Sequence, residues 1–388
     1  MILLFYLSIG IIGYAYIGYP IISCIWAYSR NIFAGYTADK HSKSTNDYPQ
    51  VTIVIAAYNE RDCIEDKIKN TLSLRYPHEK MTVLVVTDGS TDGTEKIASL
   101  FSGVQVIHQS NRSGKAAAIN KAIQIIKTGI IVFTDANSLL HADALMKLAA
   151  HFNDKRIGAV AGEKRIATDQ QEGVVAVEGV YWNYESLLRS CDAQIHSVPG
   201  AVGELFAVRR ELITILPEAV ICDDLYLSLY VLSAGYRIEY EPEAYGVETY
   251  LHTIRQEWKR KLRIAAGSVQ MLRLMQWGVF WKQNPIAALQ FFNRKIIRWI
   301  VVPYFLIVLL ISSFFVAEPV HNSTIVYLLQ AEAIFYVFVL WGALFNKYQN
   351  LPRLFFIPFY FILANLAMIV GTIQYLKGKS YTVWEKTR

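Results

Sequence analysis

The chain has 388 residues, of which 53% are hydrophobic and 13% aromatic, and its formal net charge is +6. This apolar fraction is too high for a purely soluble enzyme and indicates a membrane protein. We therefore expect a lipid bilayer, and no nucleic acid, among its partners.

The first segment of the chain is predicted to be a membrane anchor. Residues 1–29 contain no Asp, Glu, Lys or Arg, and a helix needs about 20 apolar residues to cross a bilayer. A cleaved secretory signal is the alternative, but the segment lacks a basic start and is too long for one. We expect a retained transmembrane anchor.

The middle of the chain, residues 39–267, has the pattern of an α/β domain. Short runs rich in Val and Ile predict strands, and segments with helical spacing of apolar residues separate them. The predicted strands are 51–57, 81–87, 104–108 and 130–134, and the predicted helices are 64–74, 94–101 and 115–126. This alternation builds a mostly parallel sheet, which binds ligands at the carboxyl ends of its strands.

Polar side chains follow three of these strands. Asn59 and Glu60 follow the first strand, Asp88 follows the second, and Asp135 and Asn137 follow the fourth. Crowded carboxylates favour a hard divalent cation, so the sequence predicts Mg²⁺ or Mn²⁺ with Asp135 as the best ligand. Asp88 could instead accept hydrogen bonds from a base or ribose. Turn formation is the alternative for both aspartates, because Asp also favours tight loops and helix starts.

The C-terminal third is predicted to return to the membrane. Apolar segments at 299–317, 324–345 and 354–376 predict three further spans, and the mixed aromatic and basic segment 277–298 predicts helices in the membrane interface. Four spans would place the basic tail, residues 377–388, on the outer face. Its positive charge favours the inner side, so the side of the tail stays open.

Basic residues beside the spans predict the orientation of the domain. They are Arg30, Lys40 and Lys43 after the first span, and Arg294, Lys295 and Arg298 before the second. By the positive-inside rule, we expect a multi-pass protein of the inner (plasma) membrane with its domain in the cytoplasm. The four scattered cysteines agree with a cytoplasmic domain, because their spacing indicates neither a disulfide framework nor a structural metal.

Six motifs occur in an order typical of one family. They are VTIVIAAYNE, VVTDGSTDGT, SGKAAAIN, FTDAN, DDLYLSLYVLSAGYRIEYEPEA and KRKLRIAAG, between Tyr48 and Gly267. In this order they resemble the family-two membrane glycosyltransferases, in the branch of cellulose, hyaluronan and poly-N-acetylglucosamine synthases. The resemblance implies an α/β fold of the GT-A type, a nucleotide-sugar-binding domain with a mostly parallel sheet flanked by transmembrane helices. It also implies a UDP-sugar donor.

The resemblance implies a site for the donor nucleotide. Its expected residues are Ala57, Tyr58, Glu60 and Asp88 on the uridine, and Lys115, Arg260, Lys261 and Arg263 on the diphosphate. Lys115 opens a helix, where its ammonium and the helix N-terminus both favour phosphate. Alternatives are a solvated surface charge for Lys115 and binding of anionic lipid for the basic cluster. Asp135 and Asn137 match the family's Asp-x-Asp metal element, with an amide replacing the second carboxylate.

The acidic pair Asp223 and Asp224 matches the family's catalytic pair, whose second member acts as the base. Asp224 would take the proton from the acceptor hydroxyl, and the charge of Asp223 would raise the proton affinity of the pair. One base and one direct displacement imply inversion at the sugar carbon. Helix capping by an N-terminal Asp is the alternative.

The residues expected to bind the acceptor differ from the pattern of the family that the chain resembles. The family's Gln-Arg-x-Arg-Trp element aligns with residues 260–264, and Ile264 stands where the stacking tryptophan would be. The remaining candidates for acceptor binding are Trp258 on the same helix and the glycines Gly200 and Gly203. The two glycines could equally belong to an ordinary strand entry.

The sequence is compatible with three functions. The leading hypothesis is an inverting glycosyltransferase that moves a sugar from a UDP-sugar to a saccharide or lipid-linked acceptor, with building and export of a β-linked polysaccharide as a further step. A distributive single-sugar transferase is favoured by the missing tryptophan. A non-catalytic nucleotide-sugar-binding subunit of a synthase complex has no need of Asp88, Lys115, Asp135 and Asp224 together. A second copy of the chain or a synthase subunit is a further expected partner.

Overall fold

The computed structural model describes residues 1–34, 48–166, 173–248, 253–317, 323–345 and 352–381. The predicted start of the domain at residue 39, the cations Lys40 and Lys43, and residues 382–388 of the predicted tail lie outside these ranges.

A single mixed sheet forms the centre of the domain. Its strands are β1 (Val51–Ala57), β2 (Met81–Asp88), β3 (Val104–Gln109), β4 (Ile130–Asp135), β5 (Ser138–Leu140), β6 (Ile157–Ile166), β7 (Phe206–Arg209) and β8 (Arg237–Glu248). They lie in the order β3-β2-β1-β4-β7-β6-β8-β5. The pairs among β1 to β4 and the pair β6 with β8 are parallel, whereas β5 and β7 run antiparallel to their neighbours. The predicted mostly parallel sheet is confirmed.

Helices surround the sheet and extend from both ends of the domain. They are α1 (Ile2–Gly13), α2 (Tyr19–Ala34), α3 (Arg61–Leu72), α4 (Thr94–Ala98), α5 (Lys115–Ile125), α6 (Ala144–Ala150), α7 (Gly173–Ile195), α8 (Asp223–Ser233), α9 (Ile254–Leu274), α10 (Trp277–Gln283), α11 (Pro285–Phe291), α12 (Val302–Val316), α13 (Ser323–Phe345) and α14 (Arg353–Leu376). Short π-helical segments, Tyr14–Gly18 and Phe292–Val301, continue α1 into α2 and α11 into α12. Three-residue 3-10 turns lie at His78–Lys80, His151–Asn153 and Arg210–Leu212.

Both faces of the sheet are covered, which explains the continuous apolar runs of its central strands. All seven residues of β1 are buried. Ile53 and Ile55 point to a core shared with α3 and α6, and Val54 points to a core shared with α5 and α8. The strands predicted from Val- and Ile-rich runs therefore lie at the centre of the fold.

Four helical segments are long and apolar enough to cross a membrane. They are Ile2–Arg30, Pro285–Val316, Ser323–Phe345 and Arg353–Leu376. The second begins at Pro285, so most of the segment predicted to lie in the membrane interface is continuous with the span that follows it. Only α10 remains a separate short helix before that span.

Helix α14 lies beside α9 of the α/β domain along most of its length. Near its start the Tyr360 hydroxyl donates to Glu257 of α9 at 2.6 Å. Farther along, Gly371 packs so closely that a Cβ there would lie 2.6 Å from the Leu262 carbonyl oxygen. The guanidinium of Arg273 lies 5.7 Å from the Tyr375 ring near the helix end. The end of α14 therefore returns to the domain.

Two of the cations used to predict orientation are buried inside the protein. Arg294 and Arg298 are 2% and 6% exposed, and they form ion pairs with Glu185 and Asp192 of α7. Their position on the helix face that packs against α7 makes them partners of carboxylates, not of lipid headgroups. The orientation of the domain in the membrane stays a prediction.

Candidate active site

A cavity of about 770 Å³ lies at the carboxyl ends of the central strands. Asp135, Lys164 and Glu248 reach it from β4, β6 and β8, and helices α7, α9 and α14 form its other walls. The predicted site residues that line it are Lys115, Asp135, Asn137, Gly203, Asp223, Asp224, Arg260, Lys261 and Arg263. The structure thus brings together the predicted metal, base and diphosphate residues.

Lys115 lies among three aspartates at the floor of the cavity. Its Nζ lies 2.9 Å from Asp135 Oδ1 and 3.6 Å from Asp223 Oδ2. A Cβ on Gly203 would lie 3.4 Å from this Nζ and 3.9 Å from the carboxylates of Asp135 and Asp224. Burial by itself would lower the pKa of Lys115, but the surrounding aspartates raise it above its usual value, so the lysine stays charged. It is not a solvated surface charge.

Asp224 has the environment expected of a general base. It lies in the first turn of α8, and its carboxylate accepts a hydrogen bond from the Leu225 N–H at 2.7 Å. Burial, followed by the nearby charge of Asp223, raises the pKa of Asp224 to about 6. A base with a pKa close to the working pH can both take and release a proton.

This pKa predicts a pH dependence of any sugar transfer. Because the pKa of Asp224 is raised, its carboxyl is protonated below about pH 6 and charged above it. We expect kcat/KM to rise about tenfold per pH unit up to this value and then to level off, since kcat/KM reports the free enzyme. Initial rates between pH 4.5 and 8 measure this. A flat profile across that range would contradict the assignment of the base.

Asp135 and Asn137 offer two oxygen ligands to the cavity. Burial raises the pKa of Asp135, and the Lys115 ammonium partly offsets this. The Asn137 amide nitrogen donates to Glu248 at 2.9 Å, which leaves the amide oxygen of Asn137 without a hydrogen bond to any described residue. In the described part of the chain, no three His, Cys, Asp or Glu side chains are grouped to hold a metal ion.

A second buried ion-pair group in the cavity was missed by the sequence analysis. Lys164 is 3% exposed; it donates to Glu204 at 2.7 Å and pairs with Glu248. Glu204 directly follows the predicted acceptor glycine Gly203, and this adjacency was the available sign of its role. Lys164 and Glu248 lie inside strands, where nothing in the local sequence marks them as site residues.

The four residues predicted to contact the uridine lie at the ends of β1 and β2, and none of them lines the cavity. Asp88 is 5% exposed, and its carboxylate accepts the backbone N–H groups of Ser113 and Gly114, both at 2.7 Å. These bonds hold the loop that leads into Lys115. The roles of the four edge residues stay predictions; they are Ala57, Tyr58, Glu60 and Asp88.

The neighbours of this edge are tightly packed. The Arg112 guanidinium lies 3.7 Å from the Tyr58 ring centroid. Gly89 has φ +66°, and a Cβ there would lie 2.8 Å from the Arg112 backbone nitrogen, so only glycine fits. Glu60 is buried, and its backbone N–H donates to the Thr94 hydroxyl.

Two basic residues of α9, Arg260 and Lys261, form ion pairs with one buried carboxylate. Glu257 is 1% exposed and pairs with Arg260 at 2.7 Å and with Lys261 at 3.5 Å. Burial opposes ionisation of Glu257, but these cations hold its pKa well below its usual range. Arg263 lies two residues beyond Lys261 and also lines the cavity. The cluster therefore faces the site.

Two predicted acceptor residues lie outside the cavity wall. Trp258 is half-buried on α9 and is not among the lining residues. Gly200 lies beside the cavity, where an added Cβ would be 3.8 Å from the Lys295 side chain. Gly203 is therefore the only one of the three predicted acceptor residues that lines the described cavity.

Fold and cavity together define a GT-A-like domain joined to helices that can cross a membrane. Residues 52–215 match the sequence model of glycosyl transferase family 2. Residues 52–215 therefore form a family 2 glycosyl transferase domain, and the resemblance and fold class predicted from the sequence are confirmed.

Curated relatives agree with this family. A poly-beta-1,6-N-acetyl-D-glucosamine synthase of Staphylococcus aureus (strain MSSA476) is 28% identical over 277 residues, which cover 66% of this chain and 65% of the relative. The synthase of the same name from Staphylococcus epidermidis is 24% identical over 266 residues, covering 64% and 62%. This chain thus spans just under two thirds of the length of the curated relatives that it matches.

A solved structure agrees with the fold. The mannosyltransferase PcManGT from Pyrobaculum calidifontis, in complex with GDP-Man and Mn²⁺, superimposes with a TM-score of 0.71 and 21% sequence identity. The superposition covers 97% of this chain and 100% of the mannosyltransferase, so the shared fold extends beyond the α/β domain to the helices that are long and apolar enough to cross a membrane.

Proposed function

We propose that the protein is an inverting glycosyltransferase that moves a sugar from a UDP-sugar to a saccharide or lipid-linked acceptor at the membrane. The observation that supports this most is the placement of Asp224, with its pKa raised to about 6, in one cavity with Asp135 and Lys115. These residues lie at the carboxyl edge of the sheet in a family 2 glycosyl transferase domain. A subunit that only binds nucleotide sugars has no need of a buried base.

In the proposed reaction, Asp224 acts on the acceptor and the basic residues of α9 act on the departing diphosphate. Asp224 takes the proton of the acceptor hydroxyl as that oxygen attacks the sugar carbon. The bond to the diphosphate breaks on the opposite side of the same carbon, which inverts its configuration. Arg260, Lys261 and Arg263 of α9 face the negative charge that develops on the departing diphosphate.

A divalent cation, Mg²⁺ or Mn²⁺, is proposed as the cofactor. The Asp135 carboxylate and the free amide oxygen of Asn137 are hard oxygen ligands, and such ions are commonly held by one or two protein oxygens together with substrate phosphates. When bound, the ion stabilises charge on the diphosphate. The Mn²⁺ of the solved mannosyltransferase supports this proposal.

Replacing Asp135 with Ala should remove metal-dependent binding of UDP. The change deletes the only charged ligand of the proposed pair Asp135 and Asn137, and the amide of Asn137 alone is a weak ligand for a hard ion. We expect UDP affinity, measured by calorimetry with Mn²⁺, to fall to the value that the unchanged protein shows in EDTA. Equal affinities of the variant with Mn²⁺ and of the unchanged protein with Mn²⁺ would contradict the metal site.

Extension of a β-linked polymer is proposed from the relatives named as poly-beta-1,6-N-acetyl-D-glucosamine synthases. A distributive transferase acting on a lipid-linked acceptor is the second candidate. It is favoured by the apolar cavity wall that α14 supplies through Ile357, Phe361 and Met368. Ile264, in place of the family's stacking tryptophan, also lines this cavity.

We further propose that the domain lies at the cytoplasmic face of the plasma membrane. Lys379 lines the cavity, so the end of α14 with Lys377 lies on the domain side, which requires that only two of the three C-terminal apolar segments cross the membrane. These cations add to Arg30 beside the first span and agree with the positive-inside rule. Association with a second copy or a synthase subunit remains a prediction.

The test of the proposed function is release of UDP by the detergent-purified protein across a panel of UDP-sugars with Mg²⁺ or Mn²⁺. Mass spectrometry of the products then separates the two candidates. A ladder of saccharides supports polymer extension, whereas addition of one sugar to a lipid supports the distributive candidate. Binding of UDP without release or transfer from any donor would contradict the proposed activity and favour a nucleotide-sugar-binding subunit.

A further inference from the structure

A cluster of charges lies between α7 and the start of the second membrane span, apart from the catalytic carboxylates. Arg294 donates to Glu185 at 2.5 Å and to Asp192 at 2.7 Å. Arg298 donates to Glu185 at 2.7 Å. These two arginines and two carboxylates balance one another.

Two further cations of the cluster are not balanced. Arg189 of α7 is 4% exposed, and Lys295 lies between the two paired arginines in the chain. Neither forms an ion pair within the described ranges; Lys295 lies 4.2 Å from the Trp299 ring centroid and Arg189 lies 5.4 Å from that of Trp182. Both line the cavity. The unpaired charge of Arg189 is thus buried beside the cavity, and an unpaired buried charge is costly.

The same wall holds buried hydrogen-bond donors that lack acceptors. They are Nη1 of Arg189, Nε of Arg298 and Nε1 of Trp182, and within the described residues none of these atoms has a partner. All three side chains line the cavity and are less than 10% exposed. Buried donors are nearly always satisfied in folded proteins. These unsatisfied donors, together with the unpaired Arg189 guanidinium, favour an anionic ligand in this part of the cavity.

The position of this wall relates it to the acceptor. Gly200, in the loop that leads to Gly203, lies beside Lys295, whereas Gly203 lies beside Lys115 and Asp224. The donor diphosphate already has the cations of α9. Arg189 and Lys295 are therefore available to a second anion, and the nearness of Lys295 to Gly200 relates that anion to the predicted acceptor residues.

Apolar side chains continue the cavity from this wall towards the membrane helices. They are Val180 of α7 and Ile357, Phe361, Ala364 and Met368 of α14. A ligand that satisfies both parts of the wall carries an anionic head and an apolar chain. A free saccharide offers neither.

We propose that Arg189 and Lys295 bind the phosphate group of an amphiphilic acceptor, whose apolar chain lies along α14. This rests on the proposed function, because it assigns the acceptor of that reaction. The phosphate pairs with the Arg189 guanidinium and the Lys295 ammonium, as the oxygens of a doubly charged group can do.

Calorimetry with dodecyl phosphate as the probe tests this binding in protein purified in a neutral maltoside detergent. Inorganic phosphate and dodecanol are titrated in parallel. We expect dodecyl phosphate to bind most tightly, and Arg189→Gln or Lys295→Gln to weaken it at least about tenfold, as expected for loss of a charge-assisted hydrogen bond. Arg189→Lys keeps the charge and should lose less. Lys282→Gln, a change at an exposed residue outside the cavity wall, should alter binding less than about twofold.

Binding of dodecyl phosphate and release of UDP are measured separately in these samples. Equal affinity for dodecyl phosphate and dodecanol, or unchanged affinity in Arg189→Gln, would overturn the phosphate site. Inorganic phosphate binding as tightly as dodecyl phosphate would support the anion site but overturn the amphiphile. Release of UDP with no binding of dodecyl phosphate overturns this inference alone, whereas tight binding with no release from any donor counts against the proposed function.

Discussion

Replacing Asp224 with Asn should lower the rate of sugar transfer by roughly 10²- to 10⁴-fold, the usual contribution of a general base. The amide has almost the same shape but cannot take the proton of the acceptor hydroxyl. Asp224 shares the cavity with Lys115 and the α9 cations, and the variant keeps the ion pairs of Lys115 with Asp135 and of Arg260 with Glu257. Binding of UDP should therefore change little. Transfer is measured by UDP release, and binding by calorimetry.

Asp223→Asn is the matched control for this prediction. Asp223 lies 3.6 Å from Lys115, so its change removes a neighbouring charge and leaves the base. The pKa of Asp224 should then fall, because the charge of Asp223 helps to raise it. The variant should retain more activity than Asp224→Asn, with its acid limb at lower pH. Equal loss in both variants would mean that Asp224 is not the sole base.

Replacing Arg294 with Met should destabilise the protein by about 3–5 kcal/mol, as expected when one partner of a buried ion pair is removed. Arg294 is 2% exposed and serves both Glu185 and Asp192. Without it, Asp192 loses its only ion-pair partner in the described residues and remains buried at 0% exposure. The midpoint of thermal unfolding in detergent should fall by several degrees.

Arg273→Met is the control for Arg294→Met. Arg273 is exposed on α9, and within the described ranges it contacts the Tyr375 ring and forms no ion pair. Its loss should therefore cost less than about 1 kcal/mol. Similar unfolding midpoints for the two variants would show that the buried charge cluster contributes little to stability.

The sheet could be predicted from the sequence because local pattern and burial agree in its centre. The strand predicted at residues 51–57 is β1 itself, and those predicted from 81, 104 and 130 each continue one residue farther. Central parallel strands are buried on both faces, so their apolar runs are visible without knowledge of their neighbours. Asp135 at the end of β4 and Asn137 after it could be predicted because the apolar run of the strand stops there.

Other parts of the site depend on contacts between distant segments. Lys164 meets Glu204 and Glu248 only when β6, β8 and the loop before β7 are assembled. Hydropathy identified α14 as a possible span, but apolar length does not reveal that α14 packs against α9. Asp88 was predicted to read a base, and the sequence carried no sign that its oxygens accept two backbone N–H groups.

The close contact of α14 with α9 connects the basic residues of α9 to a helix that is long and apolar enough to cross a membrane. At Gly371 there is no space for a side chain between the two helices, and Glu257, which holds Arg260, is bonded to Tyr360 of α14. A helix tilts when its apolar length does not match the bilayer thickness. Any tilt of α14 would move α9, and with it the cations that face Asp135 and Asp224. Donor affinity should therefore vary with the acyl chain length of the membrane in which the protein is reconstituted.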